Sequence, residues 1–204
     1  MNRFNLVDEK WIPVANEGLV SLADIFTKKY TALGGNPIQK ISLTKFLLAI
    51  TQAAYTPKDN EEWKALTSKG MSEKAMAYLL SKKDCFWLYG KSPFLQMVEI
   101  EKAAIQPYGA VSLGVAIGNT TVLMQSQVEK PLSDAAKALL VVELGGFALS
   151  GKKTDNSIVL SSGYLGKSNE KGKASSGKAG VSLGFMGFLH NFLISNSLSE
   201  SLYL

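Results

Sequence analysis

The sequence predicts an α+β fold in which mixed helices are combined with short antiparallel strands. Three observations predict it. The opening residues break into short apolar runs separated by turn residues. From Ser42 to Tyr55, apolar side chains recur at helical spacing. The composition, 46% hydrophobic and 19% charged over 204 residues, is that of a globular chain with a substantial core.

Phe4 to Val7 and Trp11 to Val14 read as strands separated by the turn-like Asp8-Glu9-Lys10. Pro13 has no N–H to donate, which puts the second strand at an edge. Glu17-Gly18 is a turn, and Leu19-Val20 is a further short strand. Ser21 has the side chain of a helix N-cap, with Asp24 three residues on to complete a capping box. The next helix buries Leu43, Phe46, Leu47, Ile50 and Ala54, and Pro57 ends it. A helix starts near Asp59, with Glu62 at the capping offset, and stops near Gly70. Ser72 begins another, with Met76, Leu79 and Leu80 on one face.

Phe86 to Tyr89, Phe94 to Met97 and Thr121 to Met124 are strand candidates. Ser133-Asp134 starts a helix running to about Leu149, with Gly151 where a left-handed C-cap glycine belongs. Ile158 to Leu160 is a short strand, and Ser161 to Gly180 is a Gly/Ser/Lys loop. Val181 to Ile194 is an apolar helix or strand pair. The final Ser199 to Leu204 carries apolar residues at helical spacing. They need a covering partner, so the chain reads as an N-terminal piece of a longer protein, with Leu202 and Leu204 at an exposed apolar surface.

Composition excludes several functions. The single cysteine, Cys85, rules out a disulfide framework and any cysteine-pair zinc site. The single histidine, His190, rules out a His-x-x-Glu-His cluster. No metal or other cofactor is expected. The cysteine usage points to a reducing, cytoplasmic setting. The opening residues hold no apolar core of a signal peptide. Ala103 to Val128 and Ala179 to Ser199 carry no charge, yet their polar residues make neither a membrane span; both read as buried core.

The net charge of +5 is unevenly spread. Residues 151 to 180 hold Lys152, Lys153, Lys167, Lys171, Lys173 and Lys178 against only Asp155 and Glu170, with six of the 18 glycines. Glycine permits close backbone approach and lysine supplies point charges, so such a stretch can follow a phosphate chain. The same composition also describes a solvated loop. Residues 125 to 133 and 161 to 180 are expected to be mobile.

Ser161-Ser162-Gly163-Tyr164-Leu165-Gly166-Lys167-Ser168 approaches a P-loop and follows the strand at Ile158 to Leu160. A phosphate- or nucleotide-binding domain at 161 to 168 is therefore the alternative reading. Ser161 holds the first glycine position, and Asn169-Glu170-Lys171-Gly172-Lys173 is a poor helix start, where a P-loop needs a helix N-terminus. Cys85 and His190 could pair as nucleophile and base, but Cys85, in Lys83-Asp84-Cys85-Phe86-Trp87, and His190, in an apolar stretch, read as a core cysteine and a core-edge histidine. With no acid–base pair, metal set or phosphate cradle in evidence, the residues argue against an enzyme.

Several segments, taken in order, resemble the CasA family, the large subunit of the type I-E CRISPR surveillance complex Cascade. They are Phe4-Asn5-Leu6-Val7-Asp8-Glu9-Lys10-Trp11-Ile12-Pro13-Val14, Val20-Ser21-Leu22, and Tyr55 to Trp63. Phe86-Trp87-Leu88-Tyr89-Gly90 followed by Pro93-Phe94-Leu95-Gln96 continues the pattern. Ala138-Leu139-Leu140 through Gly145-Gly146-Phe147-Ala148-Leu149-Ser150-Gly151 completes it. Trp11, Trp63, Phe86, Trp87 and Phe94 read as core residues that mark the family without carrying its function.

The resemblance implies the N-terminal domain of a CasA-like subunit across residues 1 to 204, without the family's C-terminal four-helix bundle. It implies a non-enzymatic role in RNA-guided antiviral defence. Guide RNA reads the target by base pairing, while protein reads a short adjacent motif on double-stranded DNA. The glycine loop that reads this motif from the minor groove would fall at Ser150, Gly151, Lys152 and Lys153. A mobile loop contacting guide RNA and neighbouring subunits would involve Leu123, Met124, Gln125, Gln127 and Lys130. The implied partners are guide RNA, target DNA, the other Cascade subunits and a helicase-nuclease recruited to the complex, and no membrane.

Overall fold

A computed structural model describes residues 1–96, 105, 107–111, 131–147 and 191–204. The fold is α+β, as expected. Strand β1 (Arg3–Asn5) pairs antiparallel with β4 (Trp87–Tyr89), with Arg3 opposite Tyr89 and Asn5 opposite Trp87. Strands β2 (Ile12–Val14) and β3 (Gly18–Val20) form a hairpin with Ile12 opposite Val20. Its turn needs left-handed backbone, which Asn16 (φ 65°) and Gly18 (φ 80°) supply.

Between the two sheets the chain runs through the core. Leu6 and Val7 are fully buried. Their carbonyls accept from the backbone N–H groups of Leu22 and Ala23, which open helix α1 (Leu22–Thr27). The buried Asn5 side chain accepts from Val7 N–H and donates to the Lys83 carbonyl, so no polar atom is buried without compensation there. Ser21 and Asp24 form the expected capping box.

Helix α2 (Pro37–Ala54) begins before the expected Ser42. Asn36 caps it, Pro37 takes the first helical position, and Gln39 completes a reciprocal capping box. Helix α3 (Asn60–Ser81) joins the two helices expected on either side of Gly70. The break lies instead at Thr67, whose φ of 59° and ψ of 162° are not helical. Asp59 is the N-cap, as expected. Glu62 does not close a capping box; it accepts from Lys58 N–H and the Tyr55 hydroxyl. Met71, Ala75 and Leu79 form the buried face, while Leu80, expected among them, is 56% exposed.

A 3-10 turn at Lys83–Phe86 leads into β4. Phe94 is buried, but its segment is a turn and not the expected strand. Phe46 joins Trp11 (centroids 6.1 Å apart) to Phe94 (5.6 Å), and Phe94 stacks on Phe86 at 5.4 Å. Trp63 and Trp87, also expected in the core, are only partly buried. Cys85 is exposed rather than buried, because the 3-10 turn points it outward.

Helix α4 (Tyr108–Val111) is one turn. Helix α5 (Asp134–Gly146), capped by Ser133, packs on α2. It stops three residues short of the expected Leu149, with Phe147 in extended conformation. Helix α6 (Leu198–Tyr203) docks on α3 and α2. Leu202, expected at the surface, is in the core; Leu204 is half exposed.

Of the two charge-free stretches read as core, Ile105, Leu193 and Ile194 are exposed, and residues 191–194 are neither helix nor strand. The expected strands at Thr121–Met124 and Ile158–Leu160 and the segment 161–180 lie outside the described residues, as do all but the last three residues of the loop 125–133. Among the described residues, no helix is long and apolar enough to cross a membrane.

Candidate nucleic-acid interface

Helix α5 is the described element between the two expected contact segments. The set expected to contact guide RNA, Leu123, Met124, Gln125, Gln127 and Lys130, precedes it in sequence. The set Ser150, Gly151, Lys152 and Lys153 follows it, with Lys167, Lys171, Lys173 and Lys178 beyond. All of these lie outside the described residues, as do the P-loop-like 161–168 and His190. The structure gives the geometry of the framework from which both segments leave.

The start of α5 is tied to the first sheet. Asp134 accepts from Arg3 Nη1 at 2.7 Å and from the Tyr89 hydroxyl at 2.7 Å. The Arg3 guanidinium lies 4.2 Å from the Tyr89 ring centroid, and Lys137 Nζ lies 5.9 Å from it. Asp134 also sits in the first turn, where the helix dipole favours a carboxylate. Two cations therefore flank one aromatic ring where the chain enters α5.

The end of α5 is tied to α2. Gly146 lies directly over Ser42: a Cβ on Gly146 would sit 2.5 Å from Ser42 Oγ and 3.0 Å from its Cα. The Ser42 hydroxyl turns inward and donates to the Ile38 carbonyl. Lys45 donates to the Gly146 carbonyl at 3.0 Å, with its ammonium 5.2 Å from the Phe147 ring centroid. Burial holds the Lys45 ammonium below the ordinary lysine pKa. A cation on a last-turn carbonyl also offsets the partial negative charge of a helix C-terminus.

Between these ends, the buried Glu143 carboxylate accepts from Gln39 Nε2 at 2.8 Å. Gln39 also accepts from Asn36 N–H, so one amide joins the α2 cap to α5. Desolvation raises the Glu143 pKa, partly offset by the Gln39 hydrogen bond. A carboxyl whose pKa is raised in the folded state favours folding in its neutral form. Its contribution is therefore fully present below the unfolded glutamate value of about 4.3 and is lost as pH rises through the folded pKa. Glu143→Gln should remove this decline: in urea titrations the variant should gain stability relative to wild type as pH rises above about 4.3. Parallel profiles would show that Glu143 ionisation costs the fold nothing.

The long-range partners, Arg3 with Asp134 and Gln39 with Glu143, are separated by more than a hundred residues, and no local sequence signal marks them. The Asn36-Pro37-Ile38-Gln39 start of α2 carries a cap and a proline at the first helical position, a signal sufficient to find it.

The family model for CRISPR-associated protein Cse1 matches residues 5–195. CRISPR-associated protein CasA/Cse1 of Thermus thermophilus is 29% identical over 162 residues, covering 69% of this chain and 31% of that protein. The crystal structure of Thermobifida fusca Cse1 superposes with a TM-score of 0.74 at 25% identity, covering 98% of this chain and 38% of its own. A chain of a CRISPR RNA-guided surveillance complex shares the fold, with a TM-score of 0.70 at 18% identity, covering all of this chain and 43% of its own. This chain thus spans 31% to 43% of the length of these relatives. With the family model matched along nearly all of its length, the chain belongs to the CRISPR-associated Cse1 (CasA) family.

Proposed function

We propose that this chain is the N-terminal region of the large subunit of a type I-E CRISPR surveillance complex, acting in antiviral defence by binding nucleic acid without catalysing a reaction. The observation that carries this reading is the Cse1 family match from residue 5 to residue 195. The fold shared with a chain of an RNA-guided surveillance complex supports assembly with other Cascade subunits. Ser150 and Gly151 offer a backbone-rich segment suited to the degenerate edges of a minor groove, and Lys152 and Lys153 neutralise flanking phosphates. Leu123, Met124, Gln125, Gln127 and Lys130 contact guide RNA and adjacent subunits. Lys167, Lys171, Lys173 and Lys178 add sequence-independent attraction. The complex recruits a helicase-nuclease and works in the cytoplasm.

Reconstitution tests the reading. The subunit carrying this sequence, mixed with guide RNA and its partner subunits, should co-elute with them and enable binding of duplex that bears the target and adjacent motif. A subunit that stays apart from the guide complex overturns it. Lys152→Ala should weaken binding about equally for all duplexes and lower the salt slope by about one unit. A loss confined to one adjacent motif would mean that Lys152 reads sequence.

A further inference from the structure

Helix α3 is bent at a residue that resists the bend. Thr67 has φ 59° and ψ 162°, a region essentially reserved for glycine and costly for a β-branched side chain. Two contacts hold it there. On one side, the Thr67 hydroxyl accepts from Gly70 N–H at 3.3 Å and so caps the second half of the helix. On the other, the Tyr203 hydroxyl of α6 donates to the Trp63 carbonyl at 2.6 Å, in the last turn before the break. A side chain that hydrogen-bonds into the backbone ladder is a recognised cause of a sharp helix bend.

The α6 contact is reciprocal. Trp63 Nε1 donates to the Tyr203 carbonyl at 3.3 Å, and the two rings stack with centroids 5.0 Å apart and planes 1° apart. Leu198 and Leu202 bury the rest of α6, and Leu198 N–H donates to the Tyr30 carbonyl. We propose that α6 is a latch that holds α3 bent at Thr67, and that releasing Tyr203 lets α3 straighten. With threonine at position 67, the bent conformer then depends on the Tyr203–Trp63 bond. Undocking α6 would move the half of α3 that buries Ala75 and Leu79 and packs on α1.

The test is a distance across α3, measured by paired spin labels in a Cys85→Ser background. Labels at Lys64→Cys and Lys82→Cys, both exposed positions, span the bend. A continuous helix would separate these Cα atoms by about 27 Å. The latched protein should give one shorter distance. Tyr203→Phe keeps the ring and removes only the hydroxyl; it should add a population near the continuous-helix value. Thr67→Ala keeps the backbone strain and removes the cap, and should do the same. Thr67→Gly placed in the Tyr203→Phe protein removes the strain and should restore the short distance. If Tyr203→Phe keeps the single short distance, α6 is not a latch, whatever Thr67→Ala does. If Thr67→Gly fails to restore it, the release does not act through Thr67, and the proposal is wrong.

Discussion

Trp11→Ala should destabilise the fold more than any other single change considered, by about 4 kcal/mol for the lost packing alone. Trp11 is fully buried, meets Phe46 in the aromatic cluster, and donates from Nε1 to the Leu6 carbonyl at 2.9 Å. Truncation therefore opens a cavity and also removes one of the two hydrogen bonds that the Leu6 carbonyl accepts, the other coming from Leu22 N–H, which adds about 1 kcal/mol. A typical domain has about 5–15 kcal/mol in total, so the variant should be largely unfolded or close to it at 37 °C. Trp11→Phe separates the two effects: it keeps most of the ring and loses the N–H, so its cost should be about 1 kcal/mol, because Leu22 N–H still meets the Leu6 carbonyl. Chemical denaturation of the three proteins gives the comparison. Equal midpoints for Trp11→Phe and wild type would show that the Leu6 bond contributes nothing.

Gly146→Ala should be the second large effect, and its sign follows from two opposed terms. Alanine improves helix propensity by about 1 kcal/mol over glycine. Against that, its Cβ would fall 2.5 Å from Ser42 Oγ and 3.0 Å from Ser42 Cα, and the latter is backbone that cannot rotate away. Overpacking of this kind costs about 3 kcal/mol, so the net loss should be about 2 kcal/mol. The helices would have to separate, stretching the Lys45 bond to the Gly146 carbonyl. Ser42→Gly should recover part of the loss, and a double-mutant cycle should show favourable coupling. A Gly146→Ala protein as stable as wild type would mean that α2 and α5 are not in register here.

The features that were legible in the sequence are those whose cause is local. The Ser21–Asp24 box, the Asp59 and Ser133 caps and the apolar spacing of α2 each depend on residues within one or two turns. The features that escaped are decided by tertiary contacts. Gly70 is the better helix breaker by propensity, yet the bend lies at Thr67, where Tyr203 approaches Trp63 from α6. Leu80 fits a helical stripe with Met76 and Leu79, but Ala75 and Met71 take the buried face instead. Helix α5 ends at Gly146, which packs on Ser42 of α2, and not near the glycine expected at position 151. The candidate contact segments were legible only through the order of family motifs. Their supporting framework was not, since Arg3, Tyr89 and Asp134 meet from three distant parts of the chain.

The role of the segment after α5 is tested most directly in the assembled complex. The subunit with Gly151 replaced by a bulky residue would be loaded with its guide complex. Binding would then be measured to duplexes with and without the adjacent motif, at several salt concentrations. If Ser150 and Gly151 read the motif from the minor groove, the variant should lose discrimination between the two duplexes while keeping the salt dependence that lysine–phosphate contacts produce. Full discrimination in the Gly151 variant would contradict the assignment and leave the lysines from 152 to 178 as a nonspecific contact only.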